Sequence, residues 1–357
     1  MKLEYKPYTL KFKFQAGTSR GVMTEHNVVY IKLTGKENPL ASGIGEIAPL
    51  PGLSEDNLEE NVELLEKVKG ALEKKETPIT KSQAFNLIYD LIPVGYSSLR
   101  FGMEVAFLDL INGGKKVIFD SDFVKGKQTI PINGLIWMNN LGHMLQQVEE
   151  KLEKGFACIK MKVGAINFED ELKVIAHLRK LAPEVMIRLD ANGAFKNNEA
   201  LAKLNRLSEF DIHSIEQPIL PRQHEAMQLI CKRSPIPIAL DEELIGVNDT
   251  SQRVELLRFL KPAHIVLKPS LHGGISSCEE WIRMAREMGV GYWMTSALES
   301  NIGLNAISQF TDYHELPGYH GLGTGQLYIN NIPSPLRVIS GKIGSLPEIN
   351  WGAIFGV

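Results

Sequence analysis

The chain has 357 residues, of which 44% are hydrophobic and 23% are charged, and its formal net charge is −3. This is the composition of a globular protein long enough for more than one core, and it gives no reason to expect nucleic acid or an anionic membrane as a partner. The three cysteines form no Cys-x-x-Cys pair, and no segment has the apolar run of a signal peptide or a membrane span, so we expect a cytoplasmic protein.

The beginning of the chain carries strand patterns separated by polar segments. Residues 8–14 alternate apolar and polar side chains, and residues 27–35 are rich in β-branched residues, so we predict two strands. Residues 15–26 are polar and contain glycine, which is typical of a loop. Residues 43–57 are punctuated by glycine and proline and are also predicted to be a loop.

Helix patterns follow these strands. Asp56, with Glu59 three residues later, has the spacing of a capping box and predicts the start of a helix. Two further helices are predicted at 82–92 and 98–112. Because strands come first and helices second, we expect a separate N-terminal α+β domain formed by residues 1–125.

From residue 129 onward the chain alternates strands and helices. The predicted strands are 129–134, 157–163, 185–192, 212–218, 236–244, 263–269 and 291–300, each followed by a helix, with a weak eighth strand at 318–325. This alternation predicts parallel strands, and eight such units close a barrel. A doubly wound sheet is the alternative, but no Gly-x-Gly-x-x-Gly follows the first strand. We therefore predict an α/β fold with a (β/α)8-type TIM barrel, residues 126–325, whose C-terminal tail, residues 326–357, packs back on the N-terminal domain.

Five predicted strands end in a charged residue that an apolar strand does not need. Lys162, Asp190, Glu216, Asp241 and Lys268 are separated by 28, 26, 25 and 27 residues, about one strand–helix unit each. Singly, each would be read as a helix cap or a loop charge. Because the carboxyl ends of barrel strands open on one face, the repeated spacing instead predicts that these side chains converge in one site.

The chemistry of the five residues indicates a metal site with lysine on either side. Asp190, Glu216 and Asp241 are oxygen ligands without histidine or cysteine, which suits Mg²⁺, or Mn²⁺, better than zinc. Lys162 and Lys268 come from the two ends of the series. A divalent cation with a lysine base suits removal of a proton alpha to a carboxylate.

Five motifs give the chain its family resemblance. They are IKMKVG (159–164), LDANGAF (189–195), IEQP (215–218), ALDEEL (239–244) and LKPSLHGG (267–274). In this order they resemble the motifs of the enolase superfamily, in its muconate-lactonizing subgroup. The resemblance implies a TIM barrel with an N-terminal capping domain and a bound Mg²⁺.

The resemblance also implies roles for individual residues. Asp190, Glu216 and Asp241 would bind the metal, and Lys162 would be the acid/base on one face of the substrate, with Lys268 on the other. Lys160 would lie close to the substrate carboxylate. Three further residues would support the site: Asn192, Glu242 and Arg188.

Within the subgroup, the chain is most similar to the o-succinylbenzoate synthases, dehydratases of menaquinone biosynthesis. The similarity lies in TSALESNIG (295–303) on strand seven, and it implies that Ser296, Ala297 and Leu298 line the substrate pocket. Arg20 and residues 50–53 would close over the succinyl arm. The implied substrate is a small-molecule carboxylate, with neither nucleic acid nor membrane as partner.

Other activities stay open at this point. N-succinylamino acid racemases and muconate cycloisomerases belong to the same subgroup, and the racemases use the same pair of lysines. Residues 318–325 lack the Asp-x-Asp of dipeptide epimerases. A Schiff-base aldolase with Lys268 as nucleophile would leave the three carboxylates unexplained. A noncatalytic barrel is disfavoured by the convergent charges.

Overall fold

The computed structural model of this chain describes residues 1–18, 21–37 and 41–355. The N-terminal part is an antiparallel sheet in the order β1 (Lys2–Thr18), β2 (Gly21–Thr34) and β3 (Ser42–Ile47). Three helices follow and cover the sheet: α1 (Leu58–Leu72), α2 (Lys81–Leu91) and α3 (Ser97–Ile111).

Two segments that are predicted as loops contain strands. Residues 15–18 and 21–26 belong to the ends of β1 and β2, which pair through Gly17 and Val22. On β2, Val22, Thr24 and Glu25 are all exposed, so the alternation of a half-buried strand is missing from this part of the sequence. In the other segment, residues 43–57, the first five residues belong to β3, which pairs with β2, and the rest is a loop as predicted. Gly45 of β3 brings the strand against the backbone of α3, where a Cβ would lie 2.0 Å from the carbonyl oxygen of Gly102.

The predicted start of α1 is shifted by one residue. The cap is Asn57, whose side chain accepts a hydrogen bond from the Glu60 amide at 3.0 Å. Asp56 is buried instead and accepts hydrogen bonds from Ser98 and Asn61. The capping-box spacing therefore located the start of α1 to within one residue, but the capping residue is Asn57 and not Asp56.

Parallel strands and helices then alternate along the chain. The units are β5 (Gly134–Ile136) with α4 (Leu141–Glu153), β6 (Cys158–Lys162) with α5 (Phe168–Leu181), β7 (Met186–Asp190) with α6 (Asn197–Leu207), β8 (Ile212–Glu216) with α7 (His224–Arg233), β9 (Ile238–Leu240) with α8 (Thr250–Leu260), β10 (His264–Leu267) with α9 (Ile275–Met288), and β11 (Gly291–Met294) with α10 (Asn301–Tyr313). Among the described residues, β5 to β11 form one sheet of seven parallel strands in sequence order.

A short eighth segment completes the barrel. His320 bridges Ile132 and Gly321 bridges Thr295, both in the parallel sense, so residues 320–321 connect the two edges of the sheet. The (β/α)8-type fold is thereby confirmed. The first barrel strand begins later than predicted, at Gly134, because β4 (Ile130–Pro131) pairs with the C-terminal tail instead.

The C-terminal tail touches both parts of the molecule. Its strands β12 (Leu336–Ile339) and β13 (Lys342–Ser345) form a hairpin beside β4. Residues 327–329 run along β1: Lys13 donates its amide to the Leu327 carbonyl at 2.8 Å, and Ile329 donates to the Lys11 carbonyl at 2.9 Å. The domain limits given above stay predictions. No described helix is both long enough and apolar enough to cross a membrane.

Two buried carboxylates connect the N-terminal part to the barrel. Glu46 on β3 accepts hydrogen bonds from the Ser300 amide (2.7 Å), the Ser300 hydroxyl (2.6 Å) and the Gly303 amide (2.8 Å) at the start of α10. Glu104 on α3 accepts from the Ile275 amide and the Ser276 hydroxyl at the start of α9. Burial raises the pKa of each carboxyl to about 7. Each of these acids lies in the N-terminal part of the chain and caps the start of a helix in the barrel.

Candidate active site

The five charged residues of the repeated spacing lie together at the carboxyl ends of the barrel strands. Lys162, Asp190 and Glu216 end β6, β7 and β8 and are neighbours in register across the sheet. Asp241 and Lys268 directly follow β9 and β10. Parallel strands of similar length place the residue after each strand on one face, so the regular spacing along the chain becomes proximity in space.

Each lysine at this face contacts a carboxylate. The Lys160 ammonium lies 2.9 Å from Asp190 Oδ2 and also contacts Glu216 Oε2. Lys162 lies 3.2 Å from Asp190 Oδ2, and its ammonium donates to Asn192 Oδ1 at 2.6 Å. Lys160 and Lys162 share one face of β6, because alternate residues of a strand point the same way. Lys160 therefore faces carboxylates of the protein, and Lys162 lies one step closer to the rim.

At the other end of the series, Lys268 contacts the Asp241 carboxylate. Both side chains are almost completely buried. The carboxylates thus form an arc with a lysine at each end: Lys162 beside Asp190, and Lys268 beside Asp241. Within the arc, Lys160 bridges Asp190 and Glu216.

Burial and mutual charge set the protonation of the arc. Burial raises the pKa of Asp190, but the nearby ammonium groups, led by Lys160, outweigh burial and hold that pKa well below its usual range. Burial raises the pKa of Glu216 to about 7, with the neighbouring carboxylates adding to the shift and Lys160 opposing it. Burial lowers the pKa of Lys160 and of Lys268, yet the carboxylates raise both above the usual range. Glu216 is therefore an acid that an added cation would help to ionise.

The donor set fits a hard divalent cation. Glu216 Oε1 and Asp241 Oδ1 are buried oxygens that accept no hydrogen bond from the part of the chain that the structure describes. Buried oxygens of this kind need a partner, and carboxylate oxygen is the ligand type that Mg²⁺ and Mn²⁺ prefer. Within residues 1–18, 21–37 and 41–355, no three acidic, histidine or cysteine side chains are grouped as a ready metal site, and Lys160 contacts both Asp190 and Glu216 in this arrangement.

The three predicted supporting residues differ in their positions. Asn192 lies inside the site, where its amide donates to Glu242 Oε1 at 2.9 Å and its oxygen accepts from Lys162. Arg188 lies one layer deeper in the barrel. Its Nη1 donates to the Tyr319 carbonyl at 2.8 Å, and its guanidinium lies 3.9 Å from the ring centre of Trp293. Arg188 therefore belongs to the packed barrel interior rather than to the carboxylate arc.

A cavity of about 500 Å³ opens above the arc. Lys160, Lys162, Asp190, Asn192 and Lys268 line its floor. Two loop segments form parts of its lining: the Leu50 wall, which consists of Leu50, Pro51 and Leu53, and the Leu298 wall, which consists of Ser296, Ala297 and Leu298. All three residues predicted from strand seven thus line the cavity. Arg20 lies outside the described residues, so its predicted contact with the substrate stays untested.

Several cavity residues were not found from the sequence. Trp137 lines the cavity directly after β5, 25 residues before Lys162, which is the same spacing as that of the charged residues. It was missed because only charged strand ends were considered. Thr324 also lines the cavity, and its hydroxyl donates to Ser296 Oγ at 2.8 Å. No local pattern indicates Thr324.

Glu299 organises the Leu298 wall from beneath. This fully buried carboxylate accepts hydrogen bonds from the hydroxyls of Ser270 and Ser296, both at 2.5 Å, and from the Ala297 amide at 2.7 Å. The wall is therefore fixed to the loop after β10, the loop that begins with Lys268. These contacts explain Glu299 of the strand-seven motif, and the next residue, Ser300, bonds to Glu46 at the start of α10.

Comparison with known proteins places these features in a family. A family model described as "Enolase C-terminal domain-like" matches residues 143–342. The chain is 42% identical to an o-succinylbenzoate synthase from Desulfotalea psychrophila, over 96% of this chain and 99% of that protein. It is 27% identical to an o-succinylbenzoate synthase from Thermosynechococcus vestitus, over 91% of this chain and 92% of that protein. The crystal structure of MenC from Desulfotalea psychrophila superposes with a TM-score of 0.86 at 39% identity, covering 96% of this chain and 99% of that one.

Proposed function

This chain belongs to the enolase C-terminal domain-like family, and from that premise we propose that it catalyses the o-succinylbenzoate synthase reaction of menaquinone biosynthesis. The substrate is a hydroxycyclohexadiene carboxylate that carries a succinyl arm, and the reaction removes water from the ring. The similarity to an o-succinylbenzoate synthase extends over almost the full length of both chains. That extent favours this reaction over the other activities of the subgroup.

The observation that carries the proposal is the position of the two lysines. Lys162 and Lys268 stand at opposite ends of a buried carboxylate arc and line the floor of one cavity. A substrate carboxylate that lies over the arc would therefore have an amine on either side of its alpha carbon. This arrangement suits proton transfer at that carbon, since an acid/base group must lie within hydrogen-bond reach of the proton that it moves.

Asp190, Glu216 and Asp241 are the residues that would hold the metal, with Mg²⁺ as the proposed ion and Mn²⁺ as a substitute. When bound, such a cation supplies positive charge beside the carboxylate oxygens on which negative charge develops as the alpha proton leaves. Asn192 and Glu242, joined by a hydrogen bond of 2.9 Å, support the orientation of the site. Hydrogen bonds from neighbouring side chains of this kind hold metal ligands in place.

Lys162 performs both proton transfers in the proposed reaction. As a neutral amine it takes the proton alpha to the ring carboxylate, and the electron pair of the broken C–H bond moves into the carboxylate. The resulting ammonium then gives that proton to the departing hydroxyl group. The C–O bond breaks, water leaves, and the electron pair forms the new ring double bond. Lys268 remains an ammonium on the opposite side and stabilises the anion between the two steps.

In this proposal Lys160 balances charge and attracts the substrate, and it does not transfer a proton although it lies next to Lys162. Its ammonium is buried between Asp190 and Glu216 and carries the countercharge of the arc. It lines the cavity floor, so it also attracts the substrate carboxylate. A buried group with two anionic partners holds its proton, and we therefore assign proton transfer to Lys162 alone.

An assay of the purified protein with the cyclohexadiene substrate tests this function. We expect loss of the diene absorbance with Mg²⁺ present, loss of activity after treatment with EDTA, and recovery when Mg²⁺ is added back. N-succinylamino acids, assayed in parallel, test the racemase alternative. Turnover of those compounds without dehydration of the diene would contradict the proposal. Borohydride trapping of a substrate on Lys268, with activity that survives EDTA, would support the aldolase instead.

A further inference from the structure

One buried histidine connects three segments that line the cavity. His26 lies on β2, directly after residues 21–25, which line the cavity themselves. Its Nε2 is 3.2 Å from the carbonyl oxygen of Pro49, the residue that precedes the Leu50 wall. Its Nδ1 is 3.1 Å from the carbonyl oxygen of Leu298. His26 is 2% exposed, so solvent does not compete for these contacts.

The backbone at Leu298 supports a specific role for these contacts. Leu298 has a φ of +66°, a conformation that side chains other than glycine rarely adopt. Its carbonyl oxygen accepts a hydrogen bond from the Tyr328 hydroxyl at 2.6 Å and faces His26 Nδ1. A strained conformation persists where the surroundings impose it. We interpret these two side chains as the groups that hold the Leu298 carbonyl in place.

Both contacts of His26 require the imidazole ring to donate a proton. Carbonyl oxygens only accept hydrogen bonds, and a neutral imidazole has a single N–H. Neutral His26 can therefore donate to Pro49 or to Leu298, but not to both. The doubly protonated ring can donate to both at once. The geometry thus favours an added proton on His26.

The surroundings of His26 set how readily that proton is gained. Burial lowers the pKa of His26, while its two carbonyl partners and the Glu299 carboxylate raise it, and the net shift is downward. The Tyr328 hydroxyl lies 3.5 Å from Nδ1 on the side of the tail. On β1, the residue paired with His26 is the apolar Leu10, and along β2 its charged neighbour is the exposed Glu25. Glu299 is therefore the anion that assists protonation from the Leu298 side.

We propose that His26 is a positioning residue that ties the Leu50 wall to the Leu298 wall, with one tie in its neutral form and both ties in its doubly protonated form. The inference rests on the proposed function in one respect, namely that these walls hold the side arm of the substrate. The hydrogen-bond partners of His26 among the described residues are Pro49, Leu298 and Tyr328, which belong neither to the carboxylate arc nor to the floor. It acts on catalysis through the separation of the two walls.

Hydrogen exchange on the full-length, ligand-free protein tests the ties directly. In His26→Phe we expect the protection factors of the amides of residues 50, 52–54 and 297–300 to fall by about fivefold, the size of effect that the loss of one neutral hydrogen bond produces. His177→Phe, which changes a partly exposed histidine on α5, is the matched control and should leave both segments unchanged. Unaltered protection in His26→Phe would overturn the proposal.

The pH dependence separates this role from simple packing. Protection factors of the two segments in the wild type should fall as the pH increases through the pKa of His26, which burial holds below its usual range, because one tie is lost when His26 releases its proton. His26→Phe should show no such change. If this variant does not fold, the wild-type pH series decides alone, and protection that does not vary with pH would contradict the second tie.

Steady-state kinetics with the diene substrate complete the test. For His26→Phe we expect KM to increase by about tenfold while kcat changes much less, because the arm-binding walls move and the floor does not. Equal KM values for the variant and the wild type would show that the ties do not position the walls. Absence of turnover by the wild type would contradict the proposed function, whereas the exchange experiment would still decide the ties.

Discussion

Replacement of Gly45 by alanine tests the packing of β3, the strand that leads into the Leu50 wall. A Cβ at Gly45 would lie 2.0 Å from the Gly102 carbonyl oxygen and 3.1 Å from Ile31 Cγ1. Real Cβ atoms essentially never come closer than 3.0 Å to such a neighbour, so β3 and α3 would have to separate by at least 1.0 Å (3.0 − 2.0). The obstacle is backbone, which cannot rotate out of the way.

We expect Gly45→Ala to destabilise the folded protein by about 3 kcal/mol, the upper part of the usual range for overpacking. With an unfolding entropy of about 2.1 cal/mol/K per residue, this corresponds to a decrease of roughly 4 °C in Tm. Calorimetry or circular dichroism would measure the change. Because β3 continues toward Pro49, we also expect a higher KM for the diene substrate in this variant.

Gly70→Ala is the matched control, since Gly70 lies inside α1 and a Cβ there meets no atom within 4 Å. Alanine is favoured over glycine within a helix by about 1 kcal/mol, so this change should raise Tm slightly. The two substitutions are chemically identical and should have opposite signs. A Tm for Gly45→Ala that equals or exceeds that of the parent protein would refute the packing argument.

Three further predictions concern two residues of the active site, Lys162 and Glu216, and the buried carboxyl of Glu46. Lys162→Ala should reduce kcat by at least about 10⁴-fold, the upper end of the range for one acid/base group, because Lys162 serves in both proton transfers. A circular dichroism spectrum like that of the parent protein would show that the fold is kept. Near-normal turnover would reject the assignment of Lys162. Glu216→Gln should weaken Mg²⁺ or Mn²⁺ binding by more than about tenfold in titration calorimetry, since loss of a residue that only supports a metal ligand already has an effect of that size. An unchanged affinity would exclude Glu216 as a ligand. The folded-state pKa of Glu46 is about 7 against an ordinary 4.5, so the folded protein keeps a proton that the unfolded chain releases, and stability falls as the pH rises between these values. Glu46→Gln should remove this loss, so the variant should gain on the wild type by on the order of 1 kcal/mol per pH unit from pH 5 to 7; parallel plots of Tm against pH for the two proteins would contradict it.

The barrel and the carboxylate arc could be predicted because both follow from local periodicity. Strand and helix patterns repeat with the length of one strand–helix unit, and Asp190, Glu216 and Asp241 keep that period. A polar residue at the end of a buried strand is visible in the sequence without knowledge of its neighbours. Trp137 kept the same period and was missed only because an aromatic residue does not stand out at a strand end.

The strand β3 was predicted as a loop because its glycines are ordinarily loop residues. Gly43 and Gly45 instead permit close approach to α3, a segment about 60 residues further along the chain. Similarly, Glu46 and Glu104 cap helices that begin more than 150 residues later. Such contacts depend on which segments meet in space, and no local pattern records them.

The alternating units, the spacing of the charged residues and the pair of lysines on β6 can be read from the sequence alone, because they depend on backbone geometry within a few residues. The partners of these residues appear only in the folded chain: Lys160 contacts two carboxylates, Lys162 contacts Asn192, and His26 contacts carbonyls of two distant loops. Hydrogen bonds and ion pairs act over about 3 Å. Their partners are therefore set by the folding of remote segments onto one another.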